Sequence, residues 1–199
     1  MSKGDETRQR IVKEAAALFN KQGFAGSSMA DLMEATGLEK GGIYRHFSSK
    51  DEVAAEAFDY AWQAATDARM HDLDSVPNSV ERLKRFVTNF VERRSPVPGG
   101  CPLLNTAVEA DDGSPLMRER ALQALRQWQS RLSTIAAAGI KKGEIRKSTS
   151  PKKVATLIIS SLEGALMISR LERNHHALGE VQAHLNDYLE TEVRARKSR

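Results

Sequence analysis

Positive charge is concentrated in the stretch KGGIYRHFSSK, residues 40–50. Lys40 and Arg45 carry side chains that can bond either to phosphate oxygens or to the edges of bases. Lys50 opens a further helix, where N-terminal amides and positive charge both favour a bound phosphate. These residue types at this spacing therefore predict a surface that contacts nucleic acid.

Two short helices joined by a tight turn are predicted around this stretch. Ser28 can cap the first helix, with Asp31 in an S-x-x-D capping pattern, and a phosphate contact from that capping position is a second prediction for Ser28. Gly37 ends this helix, because glycine adopts the left-handed conformation without strain. The second helix runs through Ile43 and Phe47, which are core residues. Two helices with a central glycine form the helix-turn-helix pattern, whose second helix enters the DNA major groove.

The second of these helices carries two consecutive glycines, Gly41 and Gly42. Each lowers helix stability by roughly 1 kcal/mol relative to alanine. Such a pair is useful where a backbone must approach another molecule closely. We therefore expect both glycines to lie against the duplex.

This region resembles the N-terminal domain of the tetracycline-repressor (TetR) family of transcriptional regulators. The matching positions are Ala35, Gly37, Leu38, Gly41, Ile43, Tyr44, His46, Phe47 and Lys50. The resemblance implies that Tyr44 and His46 contact the DNA backbone. The alternatives are that Ser28 only caps its helix and that His46 only packs. Glu39 departs from the family pattern, which often has a small hydroxyl residue at this position.

The composition excludes several classes of protein. The 199 residues include 30 basic and 26 acidic side chains, and the net charge of +4 is compatible with nucleic acid without requiring it. One cysteine excludes an intramolecular disulfide. No apolar segment is typical of a signal peptide or reaches the roughly 18 residues of a membrane span. We therefore expect a cytoplasmic protein that spans no membrane.

Helical periodicity runs through the chain without the alternation of strands, and it predicts an all-α fold of about nine helices. The resemblance implies that residues 1–50 form a three-helix helix-turn-helix domain for DNA binding and that residues 51–199 form a helical domain for effector binding and dimerisation. In the first helix, Lys3, Arg8 and Arg10 either reach phosphates or are ordinary solvated charge.

The eighth helix begins at Ser150-Pro151 and is apolar nearly all round, so it must be buried on several sides. Because the chain resembles the TetR family, we expect the eighth and ninth helices of two subunits to form a four-helix interface. A symmetric homodimer of this kind implies a palindromic operator.

Large apolar side chains in the C-terminal helices are candidates to line an effector pocket, although a residue of this kind is more often plain core. They are Trp62, Phe86, Phe90, Leu104, Trp128 and Met167. Glu163 lies in the most apolar helix, where a carboxylate needs a partner or a path to solvent. It either orients a polar or cationic group of a ligand or pairs with an arginine at the dimer interface.

Cys101 starts the sixth helix, where N-terminal amides lower the pKa of a thiol, and Arg93 and Arg94 are its basic neighbours in sequence. It is therefore either a sensor of electrophiles or oxidants or an unreactive cap. Three histidines lack an acidic or cysteine partner at ligand spacing, so no metal site is predicted. They are His175, His176 and His184.

The resemblance as a whole implies a ligand-responsive repressor that needs no cofactor. Its dimer binds double-stranded operator DNA, and a small apolar effector releases it by favouring a conformer that no longer matches successive major grooves. Three alternatives stay open: a DNA-binding dimer without an effector, the same dimer acting as a sensor through Cys101, and a cysteine-dependent enzyme. The enzyme is disfavoured because no base partner for Cys101 is recognisable.

Overall fold

The computed structural model describes residues 2–93, 95–111 and 113–196. Within them the chain forms nine α-helices and no β-strand, which confirms the all-α prediction. The helices are α1 (Lys3–Gln22), α2 (Met29–Thr36), α3 (Lys40–Tyr44), α4 (Lys50–Met70), α5 (Ser79–Glu92), α6 (Pro102–Glu109), α7 (Pro115–Lys141), α8 (Pro151–Glu172) and α9 (His176–Tyr188). A turn of 3-10 helix follows α4 at Leu73–Ser75, and a π-helical turn follows α9 at Leu189–Val193.

Hydrogen bonds at the helix ends explain where several helices begin. The Ser28 hydroxyl accepts from the Asp31 amide, and the Asp31 carboxylate accepts in return from the Ser28 amide, as the S-x-x-D pattern predicts. Ser150 likewise accepts from an amide in the first turn of α8. Such bonds satisfy amides that have no partner within the helix. The second helix of the motif is shorter than predicted, because α3 ends at Tyr44 and Phe47 lies beyond it.

The described residues form two compact units. The first contains the residues up to Thr66 together with those from Ser95 to Ala124. It includes α1 to α3, most of α4, α6 and the start of α7. Its core contains Ile11 and Leu32, which are both fully buried. The bounds of the compact units do not coincide with the predicted boundary between residues 50 and 51. The division into a DNA-binding and an effector-binding domain at that boundary stays a prediction.

The second unit contains the described residues from Asp67 to Arg93 and from Leu125 to Arg196. Its core is made by α5, α7 and α8, with Leu83, Leu132 and Leu162 fully buried. The π-helical turn after α9 belongs to this core as well, since Leu189 and Val193 are at most 1% exposed.

Helix α8 is only partly buried within one protomer, although its sequence predicts burial on several sides. Ile158 and Leu162 are fully buried, whereas Met167, Ile168 and Leu171 are 49%, 42% and 78% exposed. By length and composition α8 could cross a membrane, with 44% of its most apolar window buried, but a core helix of a water-soluble protein passes the same test. One apolar face of α8 is therefore left uncovered by its own chain.

The turn between α2 and α3 depends on a left-handed residue. Gly37 has φ 65° and ψ 25°, and its amide donates to the carbonyl of Glu34. The next amide, from Leu38, reaches back to the carbonyl of Met33. These bonds close the end of α2 as the sequence predicts and set the path of the chain into α3.

The left-handed conformation at Gly37 can be tested by stability. Gly37→Ala should lower the free energy of unfolding by about 1–2 kcal/mol, because a Cβ disfavours the left-handed region. A Cβ at this position would meet no heavy atom within 4 Å, so no clash contributes. Gly37→Asn should lose less, since asparagine tolerates this region. Urea unfolding of both variants measures the difference, and equal losses would contradict the explanation.

Candidate nucleic-acid interface and effector-binding residues

Burial of three side chains fixes the orientation of the helix-turn-helix. Leu32 and Ile43 are fully buried, and Phe47 is 2% exposed. Since one side of α3 faces the core, its other side faces outward. The residues exposed there include four predicted contacts of DNA: Lys40, Gly41, Tyr44 and Arg45.

The exposed side of α3 combines positive charge, an aromatic ring and glycine backbone that no side chain covers. The Lys40 ammonium lies 5.8 Å from the centroid of the Tyr44 ring, which is 42% exposed. A Cβ at Gly41 would meet no heavy atom within 4 Å, and one at Gly42 would make only ordinary contact with Leu38. Packing within the protein therefore does not require glycine at either position.

Ser28 and Lys50 lie near one another at the starts of α2 and α4. Hydrogen bonds from the hydroxyl and the amide of Ser28 hold the pKa of the Asp31 carboxyl below its ordinary value, and the charge of Lys50 lowers it further. The sequence assigns Asp31 only to capping. In the structure it also places a negative charge among the candidate phosphate contacts.

Lys50 makes a contact that the sequence does not predict. Its Nζ donates to the carbonyl oxygen of Phe24 at 2.8 Å and lies 4.3 Å from the centroid of the Phe24 ring. An ammonium group has three N–H donors, and this bond uses one of them. Lys50 is thus held against the turn between α1 and α2 while it keeps donors for a phosphate.

Arg8 fits neither interpretation made from the sequence. Its guanidinium donates to the backbone carbonyl of His46 at 3.3 Å and to Glu56 at 2.5 Å, and it lies 4.2 Å from the centroid of the Phe47 ring. It also approaches Glu52 at 3.4 Å. Arg8 therefore ties α1 to the end of the helix-turn-helix, and the half-buried His46 takes part in that contact through its backbone.

Three of the candidate effector-binding residues form one aromatic cluster in the second unit. The ring of Trp128 lies 5.7 Å from that of Phe86 and 6.0 Å from that of Phe90, measured between centroids. The three side chains are at most 7% exposed. The structure thus brings together residues from α5 and α7 that the sequence identifies separately.

A buried ion pair adjoins this cluster. The Arg69 guanidinium lies 4.6 Å from the centroids of both Phe90 and Trp128, and its Nη2 is 4.0 Å from Oε1 of Glu163. Arg69 and Glu163 are 6% and 8% exposed, so each charge needs the other. Arg69 was not predicted from the sequence. A signal for it exists, because Arg69 lies four residues after Ala65 and continues the apolar stripe of α4. Glu163 pairs with an arginine of its own chain.

The other three pocket candidates lie elsewhere. Trp62 and Leu104 belong to the first compact unit, where Trp62 is buried and Leu104 is half-buried. Met167 is 49% exposed on the same uncovered face of α8 as Ile168 and Leu171. Met167 is therefore not enclosed within the protomer, and its place in an effector pocket stays a prediction.

Cys101 is the residue before α6, as predicted, but its side chain makes no capping hydrogen bond. It is 1% exposed, so a reagent in solution has little access to the thiol. Of the two basic neighbours in sequence, Arg93 donates to Asn89 at 3.3 Å, and Arg94 lies outside the described residues. The burial favours the unreactive interpretation.

The three histidines lie on the surface. His175, His176 and His184 are exposed, and His176 lies 3.7 Å from Glu180 one helical turn away. In the part of the chain that the structure describes, no three His, Cys, Asp or Glu side chains are grouped so as to hold a metal ion.

Comparisons with known proteins identify the family. Residues 11–57 match the model of the bacterial regulatory proteins of the tetR family, and residues 79–185 match the tetracyclin repressor-like C-terminal domain. A TetR transcriptional regulator of Chloroflexus aurantiacus J-10-FL is 43% identical, with a TM-score of 0.93 over 98% of this chain and 100% of that one. A TetR-family regulator of Cytophaga hutchinsonii is 36% identical, with a TM-score of 0.91 over 99% of both chains.

A further relative carries a functional name. The HTH-type transcriptional repressor DhaR of Mycobacterium sp. strain GP1 is 27% identical over 174 residues, which are 86% of each chain. The two matched ranges include the helix-turn-helix, the aromatic cluster and Glu163, whereas Arg69 lies between them. The chain therefore belongs to the TetR family of helix-turn-helix transcriptional regulators.

Proposed function

We propose that this regulator is a repressor which binds a palindromic operator as a homodimer and leaves it when a small, largely apolar molecule binds the C-terminal domain. The observation that carries the proposal is the exposed side of α3. Lys40 and Arg45 supply charge for phosphates or base edges, and Gly41 leaves the backbone open to close approach. Ser28, Tyr44, His46 and Lys50 complete the proposed contacts of the DNA backbone.

The uncovered face of α8 supports the homodimer. Met167, Ile168 and Leu171 are exposed apolar residues on one helix, and a Cβ at Gly164 would meet no heavy atom within 4 Å. An apolar surface of this kind on a single helix is typical of a protein–protein interface. A second copy of the chain, related by a twofold axis, would bury the exposed α8 face of each subunit against the other. A dimer with this symmetry would bind a palindromic operator.

The aromatic cluster with Arg69 and Glu163 is the proposed effector site. A ligand that enters it must replace contacts of the Arg69 guanidinium with Phe90 and Trp128. Arg69 lies near the last residue of α4, and Lys50 is the first residue of the same helix. Occupation of the cluster therefore acts on a helix that also carries a proposed DNA contact, and the ligand shifts the population between two conformers.

The regulator would act in the cytoplasm, where its operator is accessible. The sensor alternative, in which modification of Cys101 releases DNA, is less well supported, because the thiol is buried.

Gly41→Ala separates the effect of this position on stability from its effect on DNA binding. Gly41→Ala should raise the free energy of unfolding by up to about 1 kcal/mol, because alanine favours the helix and a Cβ there has open space. The same change should weaken binding to an operator selected from a pool of randomised duplexes, since the methyl group would lie between α3 and the DNA. Fluorescence anisotropy and thermal unfolding measure the two effects. Unchanged binding in a stabilised variant would remove Gly41 from the interface.

The dimer can be tested on the exposed face of α8. Leu171→Glu should convert a dimer into a monomer at micromolar concentration, because a carboxylate would be buried in an apolar interface. Val108→Glu is the matched control, since Val108 is 74% exposed and Leu171 is 78% exposed in the protomer. Sedimentation velocity reports both masses. A monomeric parent protein, or a dimer in both variants, would contradict the proposed interface.

Cys101 gives a test of the sensor alternative. Its burial predicts that iodoacetamide modifies Cys101 in the folded protein more slowly than it modifies free cysteine at the same pH. Cys101→Ser should bind operator as the parent does. Mass spectrometry follows the modification, and anisotropy follows DNA release. If Cys101 is modified fast, and if DNA is then released from the parent but not from Cys101→Ser, the protein is a thiol sensor rather than a receptor for a reversible effector.

A further inference from the structure

The turn between α1 and α2 is held by two charged side chains that belong to two later helices. The Glu109 carboxylate, at the end of α6, accepts from the amide of Phe24 at 2.9 Å and from the amide of Ala25 at 2.5 Å. Lys50, at the start of α4, donates to the carbonyl of Phe24 at 2.8 Å. All of these residues lie in the first compact unit.

One peptide group carries two of these three bonds. The carbonyl of Phe24 and the amide of Ala25 belong to the same planar unit, so Lys50 bonds to one end of it and Glu109 to the other. Hydrogen bonds at the two ends of an amide polarise it in the same sense and strengthen each other. A displacement of the carboxylate therefore changes both the position and the strength of the acceptor that holds the ammonium.

The carboxylate lies close against Gly23, where a Cβ would make a tight contact with it. Gly23 has φ 82°, and a Cβ there would lie 3.0 Å from Oε1 of Glu109. Glu109 is half-buried, so its two bonds are partly shielded from water. The close fit indicates a defined position for the carboxylate rather than a loose surface contact.

A second set of bonds fixes α6 to the last turn of α1. The Asn105 side chain donates to the backbone carbonyl and to the side-chain oxygen of Asn20, both at 3.0 Å. Asn20 in turn donates to the carbonyl of Pro98 at 2.9 Å, in the segment that leads into α6. The position of α6 thus determines where Glu109 meets the turn.

We propose that Glu109 is a positioning residue for DNA binding: through the Phe24–Ala25 peptide group it sets the Lys50 ammonium for contact with a phosphate. Helix α6 thereby controls a DNA contact without touching DNA. The inference rests on the proposed function, because it requires Lys50 to contact phosphate. It adds a route by which α6 reaches the proposed interface through the turn between α1 and α2, rather than through a displacement of α4 along its length.

The salt dependence of DNA binding tests this route, because each phosphate contact contributes about 0.9 to the slope of log K against log salt concentration. The probe is a labelled random-sequence duplex. Glu109→Gln keeps the shape of the side chain but replaces one acceptor oxygen with a donor group that cannot bond to an amide N–H. We expect the magnitude of the slope to fall by nearly the ~0.9 that one phosphate contact contributes, and the affinity to fall roughly threefold to tenfold.

The sign of the effect separates positioning from general electrostatics. Loss of a negative charge by itself should strengthen binding to DNA. Glu119→Gln, an equal change of charge at an exposed position of α7 in the same unit, is the matched control. It should leave the slope unchanged and bind no more weakly than the parent. An unchanged slope with equal or tighter binding in Glu109→Gln would overturn the inference.

Lys50→Met completes a double-mutant cycle. If Glu109 acts through Lys50, Lys50→Met lowers the slope by about 0.9 and Glu109→Gln adds nothing to it in the double variant. Additive losses overturn the inference alone, whereas a parent protein that does not bind DNA overturns the proposed function. Thermal unfolding checks that each variant is folded. If Glu109→Gln does not fold, Glu109→Asp replaces it, with an intermediate slope expected and an unchanged slope contradicting the inference.

Discussion

The proposed DNA-binding surface depends on the burial of Ile43 and Phe47. A helix of five residues is far too short to be stable on its own, so α3 exists because its apolar side is fixed in the core of the first unit. Arg8 reinforces the same region from α1 through the backbone of His46 and the ring of Phe47. The exposed side chains of α3 are therefore held by contacts of residues that never face the duplex.

The sequence is sufficient to predict most of the fold, because its signals are local. Capping by Ser28, the left-handed turn at Gly37 and the periodicity of the long helices each involve neighbours within one or two turns. Residues whose partners are distant in sequence were missed or misassigned. Arg69 pairs with Glu163, and Arg8 pairs with Glu56, across separations that periodicity does not encode. The exposure of Met167 could not be predicted either, because apolar character alone does not distinguish a core face from an uncovered one.

Charge in this protein is used in two environments with different energetics. At the start of α2, Asp31 stays in contact with water and serves to cap a helix, so its pKa shift reflects local hydrogen bonds. In the second unit, Arg69 and Glu163 are withdrawn from water, and the aromatic rings of Phe90 and Trp128 replace part of the lost hydration of the guanidinium. The second arrangement carries the larger desolvation cost, so it depends more on the ionic and aromatic contacts that surround it.

The burial of Cys101 has a practical consequence for measurement. It is the one cysteine in the 199 residues, and its thiol is enclosed. A cysteine introduced on the exposed side of α3 could therefore carry a spin label or a fluorophore in a nearly native background. In a symmetric dimer one such label per subunit would give a single distance between the two recognition helices, so the change in their spacing could be followed directly in solution.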